Sequence, residues 1–211
     1  MIPPEPPVDC PLCPRLVAYR AENAHREPSW FNGAPPSFGD EGARLLVVGL
    51  APGRTGANRT GRPFTGDHAG WLLYETLIAV GLARGEYQAR PDDGLELIDC
   101  MITNAVRCAP PGNKPLPVEE ATCRPFLAAR IAALPRLKVI VTLGDISRKN
   151  VLKALGLPAS AAAAGHGVEA RVGRYVLLNS YHCSRLNTNT GRLTPDMFRA
   201  VFERARVLMD A

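Results

Sequence analysis

From residue 44 onward, short and almost uninterrupted apolar runs alternate with longer stretches whose apolar residues recur every three or four positions. Four of the runs, 45–50, 98–106, 139–143 and 175–180, read as strands buried on both faces, as in a parallel sheet. Helical spacing covers 70–81, 118–133 and 145–155. The second of these carries Glu119 and Glu120 in its first turn, and Asp145 or Ser147 is placed to cap the third. A last helix starts at Thr194, whose hydroxyl caps while Pro195 takes the first helical position. Met197, Phe198, Val201, Phe202, Ala205 and Leu208 then form one apolar stripe along it. This alternation predicts a three-layer α/β/α sandwich around a central, mainly parallel four-stranded sheet. Residues 1–43 are rich in proline and glycine and hold one short helix around 15–22, so they read as an N-terminal arm. Residues 159–164 form an alanine-rich connector. Nothing marks a boundary, and 1–211 reads as a single domain.

Composition narrows the class without naming a function. With 46% apolar and 21% charged residues, the 211-residue chain is that of a globular domain with room for a core. No apolar run reaches the roughly 18 residues of a membrane-spanning helix. The Met-Ile-Pro-Pro-Glu-Pro-Pro start lacks the basic and apolar regions of a signal peptide. The expectation is a cytoplasmic monomer with reduced cysteines and no membrane partner. A net charge of +5 favours polyanions but does not by itself imply them.

The segment 49–67 carries the first sign of chemistry. It follows a strand and precedes a helix, and in open α/β folds ligands bind at that edge. It holds Arg54, Arg59, Arg62, one aromatic (Phe64), one carboxylate (Asp67) and no lysine. That set suits a flat, uncharged ring beside phosphates better than a nucleoside triphosphate. The last strand runs into a similar polar, basic loop, Asn179-Ser-Tyr-His182-Cys-Ser-Arg-Leu-Asn187 to Thr194. In a parallel sheet both loops open on one edge, so Asp67 and His182 are candidates to share a cleft.

Six cysteines stand at 10, 13, 100, 108, 123 and 183. Cys10-Pro-Leu-Cys13 has no preceding strand, which argues against a thioredoxin-type redox pair. Cys10, Cys13, Cys108 and Cys123 can instead serve one metal centre. Zinc and a [4Fe–4S] cluster both accept four thiolates. Spacing leaves both open, and unconnected thiols as well. Cys100 reads as a packed core thiol.

Four motifs together narrow these options: Gly49-Leu-Ala-Pro-Gly53, Asn58-Arg-Thr-Gly-Arg-Pro-Phe-Thr-Gly-Asp67, Cys108-Ala-Pro-Pro-Gly-Asn-Lys-Pro115 and Tyr181-His-Cys-Ser-Arg-Leu-Asn-Thr-Asn-Thr-Gly-Arg-Leu-Thr194. Over about residues 10–205 the chain resembles the type 5 uracil-DNA glycosylases, iron–sulfur members of their superfamily. The resemblance implies a [4Fe–4S] cluster on Cys10, Cys13, Cys108 and Cys123 that ties the arm to the body. It further implies excision of uracil, and of bases such as hypoxanthine, from double- and single-stranded DNA, with the base flipped out of the stack. Carried over by position, Gly49, Ala51, Gly53, Phe64 and Asn104 surround the base, with Phe64 stacking on it and Asn104 reading its edge. Arg59, Arg62, Arg185 and Arg192 contact phosphates. Leu186, at the tip formed with Arg185 and Asn187, is the wedge that fills the gap. His182 stabilises the base oxygen, and Asn113 matches a position assigned to the site. Much of the superfamily places a carboxylate where this chain has Ala51, so Asp67 becomes the candidate carboxylate for catalysis. Two rival expectations are a binding-only protein of the same fold and a redox iron–sulfur protein.

Overall fold

The computed structural model describes residues 2–211. Its sheet is built around the four runs read from the sequence: β2 (Leu45–Gly49), β5 (Cys100–Asn104), β6 (Val139–Leu143) and β8 (Tyr175–Ser180). They lie parallel in the order β5-β2-β6-β8. The sheet has six strands rather than four. β1 (Phe38–Gly39) pairs antiparallel with β5, and β7 (Val168–Val172) pairs antiparallel with β8, one at each edge. A short ribbon of β3 (Ala83–Arg84) and β4 (Glu96–Leu97) stands apart. The edge strands escape a search for continuous apolar runs for physical reasons. β1 is two residues long, and β7 alternates half-buried with exposed positions because one of its faces meets solvent.

Alternate side chains of β2 enter two different cores. Leu45 and Val47 face α3 (His68–Ala79) and α7 (Pro195–Asp210), where Leu73, Leu77, Phe198 and Phe202 pack. Leu46 and Val48 face α4 (Pro117–Ala132) and α5 (Asp145–Ala154), among Leu127, Ile131, Val151 and Leu152. All five residues of β2 are buried, so both of its faces are covered and the three-layer architecture follows. Thr194 caps α7 by accepting the Met197 N–H, as its sequence predicts.

A third, smaller core joins the N-terminal arm to the body. α1 (Pro14–Arg26) inserts Leu16 against Val106 and Phe126, in a core that includes Cys108 and Cys123 and has Cys10 and Cys13 packed against it. Glu5 fastens the arm electrostatically as well. Its carboxylate accepts from Arg107 Nη1 at 2.6 Å, from Arg130 Nη2 at 2.6 Å and from the Ser37 N–H at 3.1 Å. Both arginines are almost fully buried, which makes the shared carboxylate essential to their solvation.

The chain enters the parallel sheet at β2, moves outward to β5, then returns to β6 on the other side. Strand order therefore reverses beside β2, the place where such sheets open a crevice beyond their carboxyl ends. The loops after β2, β5 and β8 meet there.

Candidate active site

A cleft of about 460 Å3 opens at this edge, lined by Ala51, Gly53, Phe64, Asp67, Asn104, Asn113, His182 and Arg185 among others. Three separate loops thus deliver eight of the residues singled out in the sequence to one place.

Phe64 forms the floor and is 7% exposed. Its φ of 53° is unusual for a bulky residue, and the surroundings enforce it. Tyr74 Oη donates to the Pro63 carbonyl at 2.6 Å, and Tyr87 Oη donates to the Phe64 carbonyl at 3.1 Å. The Gly66 N–H donates back to Tyr87 Oη at 3.2 Å. Beneath the ring lies Gly49, where a Cβ would overlap Asn104 Oδ1 and stand 2.5 Å from the Phe64 ring. A glycine at this strand end is what lets the ring and the amide close on one another.

Asn104 ends β5 almost fully buried, and its Oδ1 has no hydrogen-bond partner. A buried acceptor left open costs free energy unless a ligand completes it. The His182 Nδ1 is likewise buried without a partner. Burial pushes the His182 imidazole below its ordinary pKa, so the ring is neutral at pH 7. The ring centroids of His182 and Phe64 are 6.2 Å apart at a 30° tilt.

Asp67 caps α3, its Oδ1 accepting the Gly70 N–H at 3.1 Å. Oδ2 faces the glycine loop, where a Cβ at Gly53 would come within 3.2 Å of it. Burial raises the Asp67 pKa, and the N–H groups of Gly70 and Ala69 and the His68 charge only partly oppose that rise. One oxygen is therefore structural and the other is presented to the cleft. Ala51 lines the same cleft and packs on its other side against the cysteine-bearing core. Asn113 sits at the rim, exposed, with a left-handed φ of 57°.

The arginines divide. Arg185 is exposed at the cleft mouth, and Leu186 beside it is 73% exposed. Arg59 is exposed but bends over its own loop, donating to the carbonyls of Thr55 at 2.9 Å and Gly66 at 3.3 Å. Arg192 lies outside the cleft, its guanidinium 4.5 Å from the Tyr181 ring centroid. Asn187 donates from Nδ2 to the His182 carbonyl at 2.8 Å and so braces the loop.

Arg62 requires a correction. The sequence placed it among phosphate contacts, yet it is 5% exposed and faces inward. It donates to Asp93 through Nη1 at 2.8 Å and Nη2 at 2.7 Å, with aromatic rings of Phe38, Tyr74 and Tyr87 around it. Burial raises the Asp93 pKa, but the Arg62 guanidinium and the N–H groups of Gln88 and Leu95 outweigh it and hold the pKa at about 2. The pair is a buried fastener of the loop. Arg62→Met should therefore lower stability by about 3–5 kcal/mol, the cost of stranding one buried charge. Urea titration measures it. The pair's contribution is fully present above the ordinary carboxylate range and is lost as pH falls through about 2.

Sequence reasoning missed His68 and Ser184 as lining residues, and it placed Arg54 in the loop without giving it a role of its own. Arg54 donates to Asn23 Oδ1 at 2.8 Å and stacks 4.9 Å from the Trp30 ring centroid, tying the cleft to α1. Ser184 caps a five-residue helix, α6 (Arg185–Asn189), by accepting the Asn187 N–H. A serine before a polar, non-periodic stretch was the one available signal for it.

Cys10, Cys13, Cys108 and Cys123 are free thiols that line one cavity closed by Pro6, Leu12, Leu16 and Phe126. Two donors already aim at sulfur. The Arg107 N–H lies 3.3 Å from Cys123 Sγ, and Arg20 Nη1 lies 3.5 Å from Cys108 Sγ. Among the described residues no three metal-ligating side chains are gathered tightly on a single point. The shared cavity and its N–H donors nevertheless fit a thiolate-ligated group. Cys100 and Cys183 are buried apart from it.

Residues 36–206 match the family model of the uracil DNA glycosylase superfamily. The chain is 46% identical over 207 residues to a type-5 uracil-DNA glycosylase of Thermus thermophilus, covering 94% of this chain and 93% of that one. It is 43% identical over 202 residues to a type-5 uracil-DNA glycosylase of Pyrobaculum aerophilum, covering 94% and 88%. A type-4 uracil-DNA glycosylase of Archaeoglobus fulgidus is 36% identical over 123 residues, covering 58% of this chain and 54% of that one.

Proposed function

The chain belongs to the uracil-DNA glycosylase superfamily, and from that premise we propose that it excises uracil from DNA by hydrolysing the N-glycosidic bond. Other deaminated bases, hypoxanthine among them, fall within the same activity, and the product is an abasic site. The observation that carries this reading is the meeting of Phe64, Asn104, Asp67 and His182 in one cleft.

Each residue has work that its surroundings suit. Phe64 offers a face for a flipped base. The open Asn104 Oδ1 accepts from the base imide N–H while its amide N–H2 donates to the adjacent carbonyl. Cytosine presents the reverse pattern at that edge and is refused. Neutral His182 donates from Nε2 toward the base oxygen as negative charge develops on it. Asp67 Oδ2 positions water or stabilises the oxocarbenium-like sugar. Asn113 completes the rim, and exposed Arg59 and Arg185 contact the backbone. Leu186 fills the vacated stack. Among the described residues no lysine lines the cleft, so there is no Schiff-base step and the enzyme is monofunctional.

Cys10, Cys13, Cys108 and Cys123 hold a [4Fe–4S] cluster in this reading. The cluster supplies a covalent tie between the arm and the loop after β5 and takes no part in the hydrolysis. The protein acts as a cytoplasmic monomer on double- and single-stranded DNA. Among the described residues no helix is long and apolar enough to cross a membrane.

The test is a set of duplexes carrying one uracil or one hypoxanthine, incubated with excess protein and treated with alkali. Strand breaks at the modified base are expected, and none from any deaminated base overturns the reading. His182→Ala should slow the single-turnover rate by about 100–1,000-fold, the usual cost of removing one such donor. Its DNA affinity should stay within about 2-fold, since it contacts no phosphate.

A further inference from the structure

His68 sits on the cleft rim directly after Asp67, as the first residue of α3. Its Nε2 lies 3.0 Å from Thr188 Oγ1, in the short helix that carries Leu186. Among the described residues this is the sole side-chain hydrogen bond between the loop after β2 and the loop after β8. The two loops are rooted on strands separated by β6, about 10 Å apart.

The direction of the bond follows from its neighbours. Thr188 Oγ1 also lies 3.3 Å from the Ser184 carbonyl and 3.2 Å from the Arg185 carbonyl, which can only accept. The hydroxyl proton goes to one of them, leaving the oxygen to accept from His68 Nε2–H. The imidazole therefore ties the helix of Leu186 to the loop of Asp67.

We propose, resting on the glycosylase reading above, that the His68–Thr188 bond is a latch that braces the wedge helix for duplex DNA. A five-residue helix has little stability of its own. Driving Leu186 into a base stack pushes back on that helix, and the latch passes the load to α3. The same bond sets the distance between the wedge and the Asp67 carboxylate, one peptide from His68. Single-stranded DNA has no stack to enter and places no such load. His68 is thus a positioning residue for duplex substrates.

The test joins two readouts on the intact protein. Amide hydrogen exchange of the free protein should rise several-fold at 185–190 in His68→Ala and in Thr188→Val. Single-turnover excision of uracil should fall about 5-fold more on duplex than on single-stranded DNA, the scale of one lost hydrogen bond. His68→Gln, whose amide N–H reaches the same hydroxyl, should restore both, and His68→Ala combined with Thr188→Val should lose no more than either alone. Unchanged exchange at 185–190, or equal losses on the two substrates, overturns the latch. If exchange rises but the wild-type protein excises no base, the hold of the bond on residues 185–190 stands, while the glycosylase reading and the duplex role that rests on it fail.

Discussion

Asp67→Asn should fold normally and lose at least about 100-fold in single-turnover excision. The substitution is a clean one because asparagine caps helices as well as aspartate does, and the Gly70 N–H keeps its acceptor. What changes is the second oxygen, which becomes a neutral amide facing the glycine loop. Burial raises the Asp67 pKa in the fold, so the native protein holds that proton more tightly than the unfolded chain. Its contribution to stability is full below the ordinary carboxylate pKa of about 3.9 and is lost as pH rises through the higher folded value. At pH 7 the ionised group is therefore a burden on the fold, and Asn relieves it. The variant should melt above the wild type at pH 7, with the gap closing toward pH 4. The acid limb of wild-type activity should lie above the ordinary carboxylate range. A normal excision rate in the variant removes Asp67 from catalysis, and a lower melting temperature makes its charge structural instead.

The pairing of a lost rate with gained stability is also how a catalytic carboxylate is told from a mere cap. It matters here because Ala51 leaves Asp67 as the one carboxylate lining the cleft among the described residues.

The strands that carry the site were legible because their chemistry is local. Val139–Leu143 and Tyr175–Ser180 are apolar runs that end where the structure ends them. The 98–106 run overreaches at both ends. Ile98 is exposed and Asp99 turns with a φ of 52°, neither of which composition reveals. The position of Asp67, Asn104 and His182 at strand exits was legible too, since parallel order puts those exits on one edge. Arg62 was not. Its partner Asp93 lies 31 positions away, and only the fold encloses the pair in aromatic rings. The orientations of Arg192 and Asn187 were not legible for a related reason, as each makes a contact within its own loop that no motif encodes. The His68–Thr188 bond spans 120 positions and joins two unremarkable polar residues.

Cys108→Ser should have the widest effect of any single change in the proposed cluster, because that loop serves two masters. It leads from β5 into the Asn113 rim, and it faces the thiols of the arm across their common cavity. Losing the ligand removes the cluster and with it the tie that holds α1 down. Leu16 and Phe126 then face water, and burying such side chains contributes about 1.5–3 kcal/mol each. The damage reaches the cleft through two contacts: Ala51, which packs on this core, and Arg54, whose hold on Asn23 depends on α1 staying in place. Expected results are loss of bound iron and visible absorbance, rapid proteolysis within residues 2–35, and weaker binding of uracil-containing duplex. Cys183→Ala is the control, since that buried thiol packs in a different core and should keep its iron. Glu5 continues to bridge Arg107 and Arg130 without the cluster, so the arm should loosen rather than detach. Iron retained in Cys108→Ser and lost in Cys183→Ala would reverse the ligand assignment. Iron lost with proteolysis and DNA affinity unchanged would leave the cluster in place but deny it the structural role.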